Sequence, residues 1–242
     1  TAGTGSEVTS VCVLTNQRNG HKLPIRHPSL LPKVSIVDPR LMLSMPPKVT
    51  SVTGIDALSH AVECFTLVRE HPFSDTLALQ ATKLIVENLP KAVQNGGDEE
   101  ARTNMALAAT MAGTAFEVGG LQFHAYAQAL GAKYHAAHGL TCGIALRAGL
   151  QQILPTATAK LARMAWAFGI DTRGLTAAQA AEMSSVVMGK LGSWVECAVN
   201  GLQPSLVDVG VDLGGGNVGV TEHFLDASQV GPVGKQVCGE GA

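Results

Sequence analysis

Charge is what this sequence has least of. Only 15% of its 242 residues are Asp, Glu, Lys or Arg, against about 25% in typical domains. Hydrophobic residues make up 46%. That balance argues against a disordered chain and implies a well-buried globular protein. A chain of 242 residues suffices for one large or two small domains with a sizeable core. The formal net charge is −2, and Lys and Arg are scattered, so neither a nucleic acid nor a membrane surface is an expected partner. No Cys-x2-Cys pair occurs. The five cysteines, Cys12, Cys64, Cys142, Cys197 and Cys238, stand far apart, as suits free thiols in a reducing cytoplasm. No stretch reads as a signal peptide, and there is no tandem repeat. The weakly charged run 105–132 is interrupted by Glu117, Gln122, His124 and Gln128. It predicts buried, Ala-rich helices, not a membrane span.

What the chain does have is an aspartate and several histidines on an apolar background. Residues 54–63 read Gly-Ile-Asp-Ala-Leu-Ser-His-Ala-Val-Glu. Asp56 and His60 are four apart, so on a helix their side chains share one face. Val52, Ile55, Ser59 and Val62 form the neighbouring, mostly apolar stripe. Burying a carboxylate and an imidazole without partners is costly. A shared divalent ion would explain the pair, because both groups are good ligands for borderline metals. A half-buried polar pair on an amphipathic helix fits the same spacing. Further ligands follow downstream. His124 is embedded in the small and apolar residues of 123–131, which read as a helix, and His138 opens another apolar segment. Asp56, His60, His124 and His138 offer one oxygen and three nitrogens. That set can hold Fe(II), Zn(II) or a similar ion and leave a position for substrate. Glu63 reads equally as the partner of a ligand imidazole or as an exposed helix carboxylate.

Residues 8–15 are rich in β-branched side chains and predict a strand. Asn19-Gly20 marks a hairpin turn, and 22–25 and 34–37 predict two more strands. From Pro46 onward the pattern is helical. Pro46 and Pro47 suit a helix start, and Ser74 an N-cap with Asp75 in the first turn. Gly96-Gly97 breaks the chain before an acidic start at Asp98-Glu99-Glu100. Met105, Leu107, Ala108, Met111 and Ala112 approximate a buried stripe, with the methionines as core filling. Gly119-Gly120 precedes the His124 helix. Helices are expected over 141–153, 156–168 and 176–199, punctuated by Pro155 and Gly169. His21, His27, His71 and His223 are expected to be solvated or to cap helices.

Several motifs, taken in order, carry a resemblance. They are Thr1-Ala2-Gly3-Thr4-Gly5-Ser6-Glu7, Ser35-Ile36-Val37-Asp38-Pro39, Met45-Pro46-Pro47, the 54–63 run, the His124 and His138 segments, and Gly201-Leu202-Gln203-Pro204-Ser205-Leu206. Over 1–211 the sequence resembles the iron-containing (group III) alcohol dehydrogenases. The resemblance implies a mainly α fold. This is a helical metal-binding domain of the dehydroquinate synthase-like superfamily, with a short N-terminal β-hairpin and strand region left from an α/β domain. The expected division is 1–45 as that remnant, 46–212 as the helical catalytic domain and 213–242 as an atypical Gly-rich tail. The tail's glycine run is no phosphate loop, because no matching helix pattern follows it.

The resemblance also implies roles. Asp56, His60, His124 and His138 align with the ligands of a catalytic metal, Fe(II) or Zn(II). Thr1, Thr4, Ser6 and Thr9 would line a dinucleotide, NAD or NADP, and Lys22 would stand near its ribose. Gln128 would face the metal cleft where the family usually has a second histidine. Glutamine can orient a water or a substrate but cannot relay a proton as histidine does. His135 falls off the ligand pattern and is expected at the rim. The implied reaction is hydride transfer between a primary alcohol or aldehyde and the cofactor. A homo-oligomer in the cytoplasm is expected. A chain that starts inside a family motif, with no nucleotide-binding domain ahead of it, is expected to be a fragment. Two alternatives remain open. One is a non-catalytic truncated helical module that binds metal or a partner subunit; the other is a relative of the metal-dependent glycerol dehydrogenases.

Overall fold

The computed structural model describes residues 4–199, 211–212 and 217–218. A short antiparallel hairpin comes first, β1 (Val11–Thr15) with β2 (Lys22–Arg26). Six helices follow: α1 (Pro47–Thr66), α2 (Pro72–Gln94), α3 (Glu99–Gly119), α4 (His124–Tyr134), α5 (His138–Met164) and α6 (Ala177–Val199). A minimal pair, β3 (Val211–Asp212) and β4 (Asn217–Val218), closes the described residues. Thr1, His223, Cys238, the 201–206 motif and most of the glycine-rich tail lie outside them.

α1 is the axis of the molecule. Every residue of 54–66 is buried, because α2, α3, α5 and α6 all pack against it. Ile55, Leu58, Val62 and Phe65 are at 0% exposure and join Ile85, Leu89, Leu146, Leu150 and Leu161 in one core. The polar residues on this helix are mostly satisfied locally. Ser59 donates to Asp56 O at 2.8 Å and Thr66 to Val62 O at 2.8 Å. Arg102 on α3, 2% exposed, ties the start of α1 in place. It donates to Thr50 Oγ1 at 2.8 Å, Met45 O at 3.0 Å and Gly96 O at 3.0 Å.

Four local expectations are corrected. Residues 34–37 form no strand; Val34 and Ile36 stand 77% and 87% exposed, with no neighbouring strand edge among the described residues. Ser74 is not the cap of α2. The helix starts earlier, at Pro72, where a missing N–H costs nothing. His71 accepts from Ser74 N, and the Ser74 hydroxyl instead donates to Ala115 O on α3 at 3.0 Å. The helices expected over 141–153 and 156–168 form a single α5 that begins at His138 and runs through Pro155. Pro155 and the exposed Gln151 and Gln152 face solvent there, so the carbonyl that proline leaves unbonded is open to water. Leu107, expected in the buried stripe of α3, is 51% exposed, while Met105, Ala108 and Ala112 are buried.

Candidate metal centre

Three helices deliver the site. The buried α1 carries Asp56, His60 and Glu63; α4 begins at His124; α5 begins at His138 and carries Cys142 one turn on. The Asp56 Oδ1 atom lies 3.3 Å from His124 Nε2, 3.6 Å from His138 Nε2 and 3.7 Å from His60 Nε2. The His60 and His124 rings stack with centroids 4.6 Å apart, and His138 meets His124 edge-on at 5.3 Å. The side chains of Asp56, His60 and His124 are 5–8% exposed, while that of His138 is 36% exposed. The cluster therefore opens to the outside along His138.

Glu63 sets the orientation of His124. It is 1% exposed and accepts from the backbone N–H of Phe123 and of His124. Those N–H groups belong to the first turn of α4, where no side chain of the helix itself caps them. A carboxylate is also favoured by the positive end of a helix. Glu63 Oε1 takes a third bond, 2.6 Å from His124 Nδ1. With the proton of the neutral ring placed on Nδ1 for that bond, the Nε2 lone pair turns toward Asp56.

The electrostatics follow from this packing. Burial alone would raise the Asp56 carboxyl, but His60, His124 and His138 outweigh it and hold its pKa at about 2. Burial pushes His60 down to about 4. Burial also lowers His138, with the charges of His124 and Lys22 adding to it against the pull of Asp56. His124 is opposed by burial, yet its bonds to Asp56, Cys142 and Glu63 raise it to about 12. Two buried carboxylates, Asp56 and Glu63, thus flank His124, the imidazole that is raised, while burial lowers His60 and His138.

The residues fit a divalent ion. An imidazole–carboxylate ion pair would close to about 2.7–2.9 Å, whereas donors about 2.0–2.3 Å from one tetrahedral ion stand about 3.3–3.8 Å apart. The three imidazole separations from Asp56, 3.3 to 3.7 Å, match the second pattern. His60 Nδ1 is buried with no hydrogen-bond partner, and its Nε2 has the 3.7 Å approach to Asp56.

The structure brings Asp56, His124 and His138 to one point and sets His60 at its edge, with Asp56, His124, His138 and Cys142 offering ligand atoms within 4.8 Å of one another. Gln128 is half-buried on α4, and His135 is exposed just past that helix with φ 51°. Lys22 reaches over α4, its Nζ 3.2 Å from where a Gly131 methyl would sit. Thr4 and Ser6 are exposed and share a 2.8 Å hydroxyl bond, whereas Thr9 is 2% exposed. Gly5, with φ +67°, presses on α3, where an added methyl would lie 2.9 Å from Gly113 Cα. His27 and His71 act as caps. Sequence reasoning missed Cys142. The signal was available, since it lies four residues after His138, the spacing that singled out Asp56 and His60.

Comparison with known proteins places these elements. Residues 50–212 match the model of the Fe-containing alcohol dehydrogenase family, C-terminal, and residues 1–39 that of iron-containing alcohol dehydrogenase. The NAD-dependent methanol dehydrogenase of Bacillus methanolicus is 42% identical over 78% of this chain and 50% of its own. Long-chain-alcohol dehydrogenase 1 of Geobacillus thermodenitrificans is 38% identical over 94% of this chain and 54% of its own. Among solved structures, a 1,3-propanediol oxidoreductase superposes with a TM-score of 0.76 at 40% identity, covering 79% of this chain and 50% of that one. The chain thus spans about half the length of the relatives it matches. On its family match, its fold and these relatives, the chain belongs to the iron-containing alcohol dehydrogenase family.

Proposed function

We propose that this chain supplies the metal-binding helical part of an oxidoreductase that moves a hydride between a primary alcohol or aldehyde and NAD or NADP. The observation that carries the reading is the convergence of Asp56, His124 and His138, with His60 beside them, inside the segment matched by the family model. Asp56, His60, His124 and His138 would hold Fe(II) or Zn(II), and the ion would supply Lewis-acid polarisation of the substrate oxygen. The protein's part is placement. Glu63 fixes the His124 ring, α1 fixes Asp56 and His60, and the open side at His138 admits the substrate. Gln128 orients the substrate or a water by hydrogen bonding. Thr1, Thr4, Ser6, Thr9 and Lys22 form one wall of the cofactor cleft, within a 1–45 segment that belongs with the nucleotide-binding domain. The helical catalytic part runs over 46–212, and the assembly is a homo-oligomer.

The reading is tested by metal content and by turnover. The purified chain should retain one divalent ion after dialysis and lose it to a chelator. His124→Ala should cut affinity for that ion at least about tenfold, while His135→Ala leaves it unchanged. The complete coding sequence should then reduce NAD or NADP with short primary alcohols in a metal-dependent way. Equal affinities in the two histidine variants, or turnover indifferent to metal, would overturn it.

A further inference from the structure

We propose that Cys142 is itself a metal ligand, which makes this a mixed oxygen, nitrogen and sulfur centre suited to zinc or another thiophilic divalent ion. The inference rests on the metal-centre reading above, keeping Asp56, His124 and His138 as donors and giving the fourth vertex to the Cys142 sulfur, with His60 at the edge of the site.

Cys142 is 1% exposed and shares a face of α5 with His138. A buried cysteine is ordinarily a small hydrophobe among apolar neighbours. This thiol instead faces the polar atoms of the site. Its Sγ lies 3.4 Å from Asp56 Oδ1, 3.6 Å from His124 Nε2 and 3.5 Å from His138 Nε2. Asp56 Oδ1 is in turn 3.3 Å from His124 Nε2 and 3.6 Å from His138 Nε2. These are five of the six edges of a tetrahedron, and all fall between 3.3 and 3.6 Å. A sulfur at about 2.3 Å and a nitrogen at about 2.05 Å from a tetrahedral ion stand about 3.5 Å apart. The thiol therefore occupies a vertex of the coordination figure, at the spacing a ligand takes.

Two consequences follow from the chemistry of the donor. On binding, the S–H bond breaks, a sulfur–metal bond forms, the proton leaves to solvent, and no oxidation state changes. A thiolate also selects among cations, favouring zinc and other thiophilic ions over harder ones that prefer oxygen. With Asp56, it brings a second negative charge to a divalent ion, which a centre of one carboxylate and neutral imidazoles does not.

The test loads the metal-free 242-residue chain with Co(II). The wild-type protein should show visible d–d bands together with a near-ultraviolet thiolate-to-Co(II) charge-transfer band. Cys142→Ser and Cys142→Ala should keep the visible bands, lose the charge-transfer band and bind Zn(II) at least about tenfold more weakly relative to Mn(II). Cys64→Ala, at a buried thiol on α1 whose Sγ contacts Gly120 O at 3.3 Å, should keep both sets of bands. X-ray absorption at the zinc edge of the wild-type chain needs no variant, and should show one sulfur at about 2.3 Å. Bound Co(II) without a charge-transfer band that depends on Cys142, or zinc without a sulfur neighbour, overturns the assignment of Cys142 and leaves the Asp–His centre standing. Failure of the folded wild-type chain to bind Co(II) or Zn(II) at all overturns the metal-centre reading, and the Cys142 assignment with it.

Discussion

A carboxylate at 1% exposure needs donors, and Glu63 finds three of them where α4 begins. Glu63→Gln exchanges an acceptor-only group for one with an NH2 that must face those same N–H donors. The His124 ring loses its fixed orientation, and metal affinity should fall about 10–100-fold with helix content unchanged. A chelator-competition titration checks this, and unchanged affinity would mean that Glu63 serves the helix start alone. The protonation states carry a second expectation. His124, raised to about 12, holds a proton at neutral pH, whereas Asp56 at about 2 and His60 at about 4 present their charged and neutral ligand forms. Metal must displace the His124 proton, so binding weakens as pH falls and strengthens as it rises, by about tenfold per pH unit for each proton released. Calorimetry in buffers of different ionisation enthalpy counts those protons, and a count of zero at neutral pH would contradict the assigned imidazolium. The Asp56–His60 pair was legible in the sequence because its spacing is local. The role of Glu63 was not, because its partners lie on the segment of Phe123 and His124, some sixty positions away, and helix spacing does not report on such contacts.

Between elements, the site depends on how closely α5 approaches α1. Gly139, next to His138, has no room for a side chain. A methyl there would lie 1.8 Å from Val52 O and 2.6 Å from Val52 C, which are backbone atoms of α1. Backbone cannot swing aside as a side chain can, so the two helices would have to part. Gly139→Ala should cost about 1–3 kcal/mol in urea unfolding. It should also weaken metal binding, because it moves His138 away from Asp56. Gly97→Ala is the control. That exposed glycine would meet its nearest atom, Asn95 Oδ1, at 3.4 Å, and its stability should stay within about 0.5 kcal/mol of the parent. Equal costs in the two variants would remove the steric argument. The same scale shows what sequence reading reaches. The break at Gly96-Gly97 and the acidic start after it were legible, since Asp98 accepts from Ala101 N as a cap. The continuity of α5 through Pro155 was not legible. Whether a proline ends a helix depends on what surrounds its lost hydrogen bond, and here that is solvent. Residues 34–37 were misread for the converse reason: β-branched residues favour a strand only where a neighbouring strand exists to pair with.

Across the whole molecule, apolar surface is distributed unevenly. The helical core is closed, but the hairpin is not. In its register Cys12 faces Ile25 and Leu14 faces Leu23, so all four share one side. Leu14, Leu23 and Ile25 are 55%, 47% and 42% exposed, and Ile36 further along is 87% exposed. A two-stranded ribbon is marginal alone, its outer edges offer unpaired N–H and C=O groups, and a contiguous apolar face marks an interaction surface. Among the described residues no third strand joins it. Nothing among the described residues closes over this face, and a second copy of the chain would. The chain should therefore sediment above its monomer mass of 25.0 kDa as concentration rises. Leu14→Glu combined with Leu23→Lys replaces the apolar pair with opposite charges that still face each other across the strands, which preserves the hairpin. That variant should shift toward the monomer in analytical ultracentrifugation while keeping its circular dichroism and its metal affinity, since neither position touches the centre built by α1, α4 and α5. A parent chain that stays monomeric at high concentration, or a variant that associates as strongly as the parent, would place the self-association surface elsewhere.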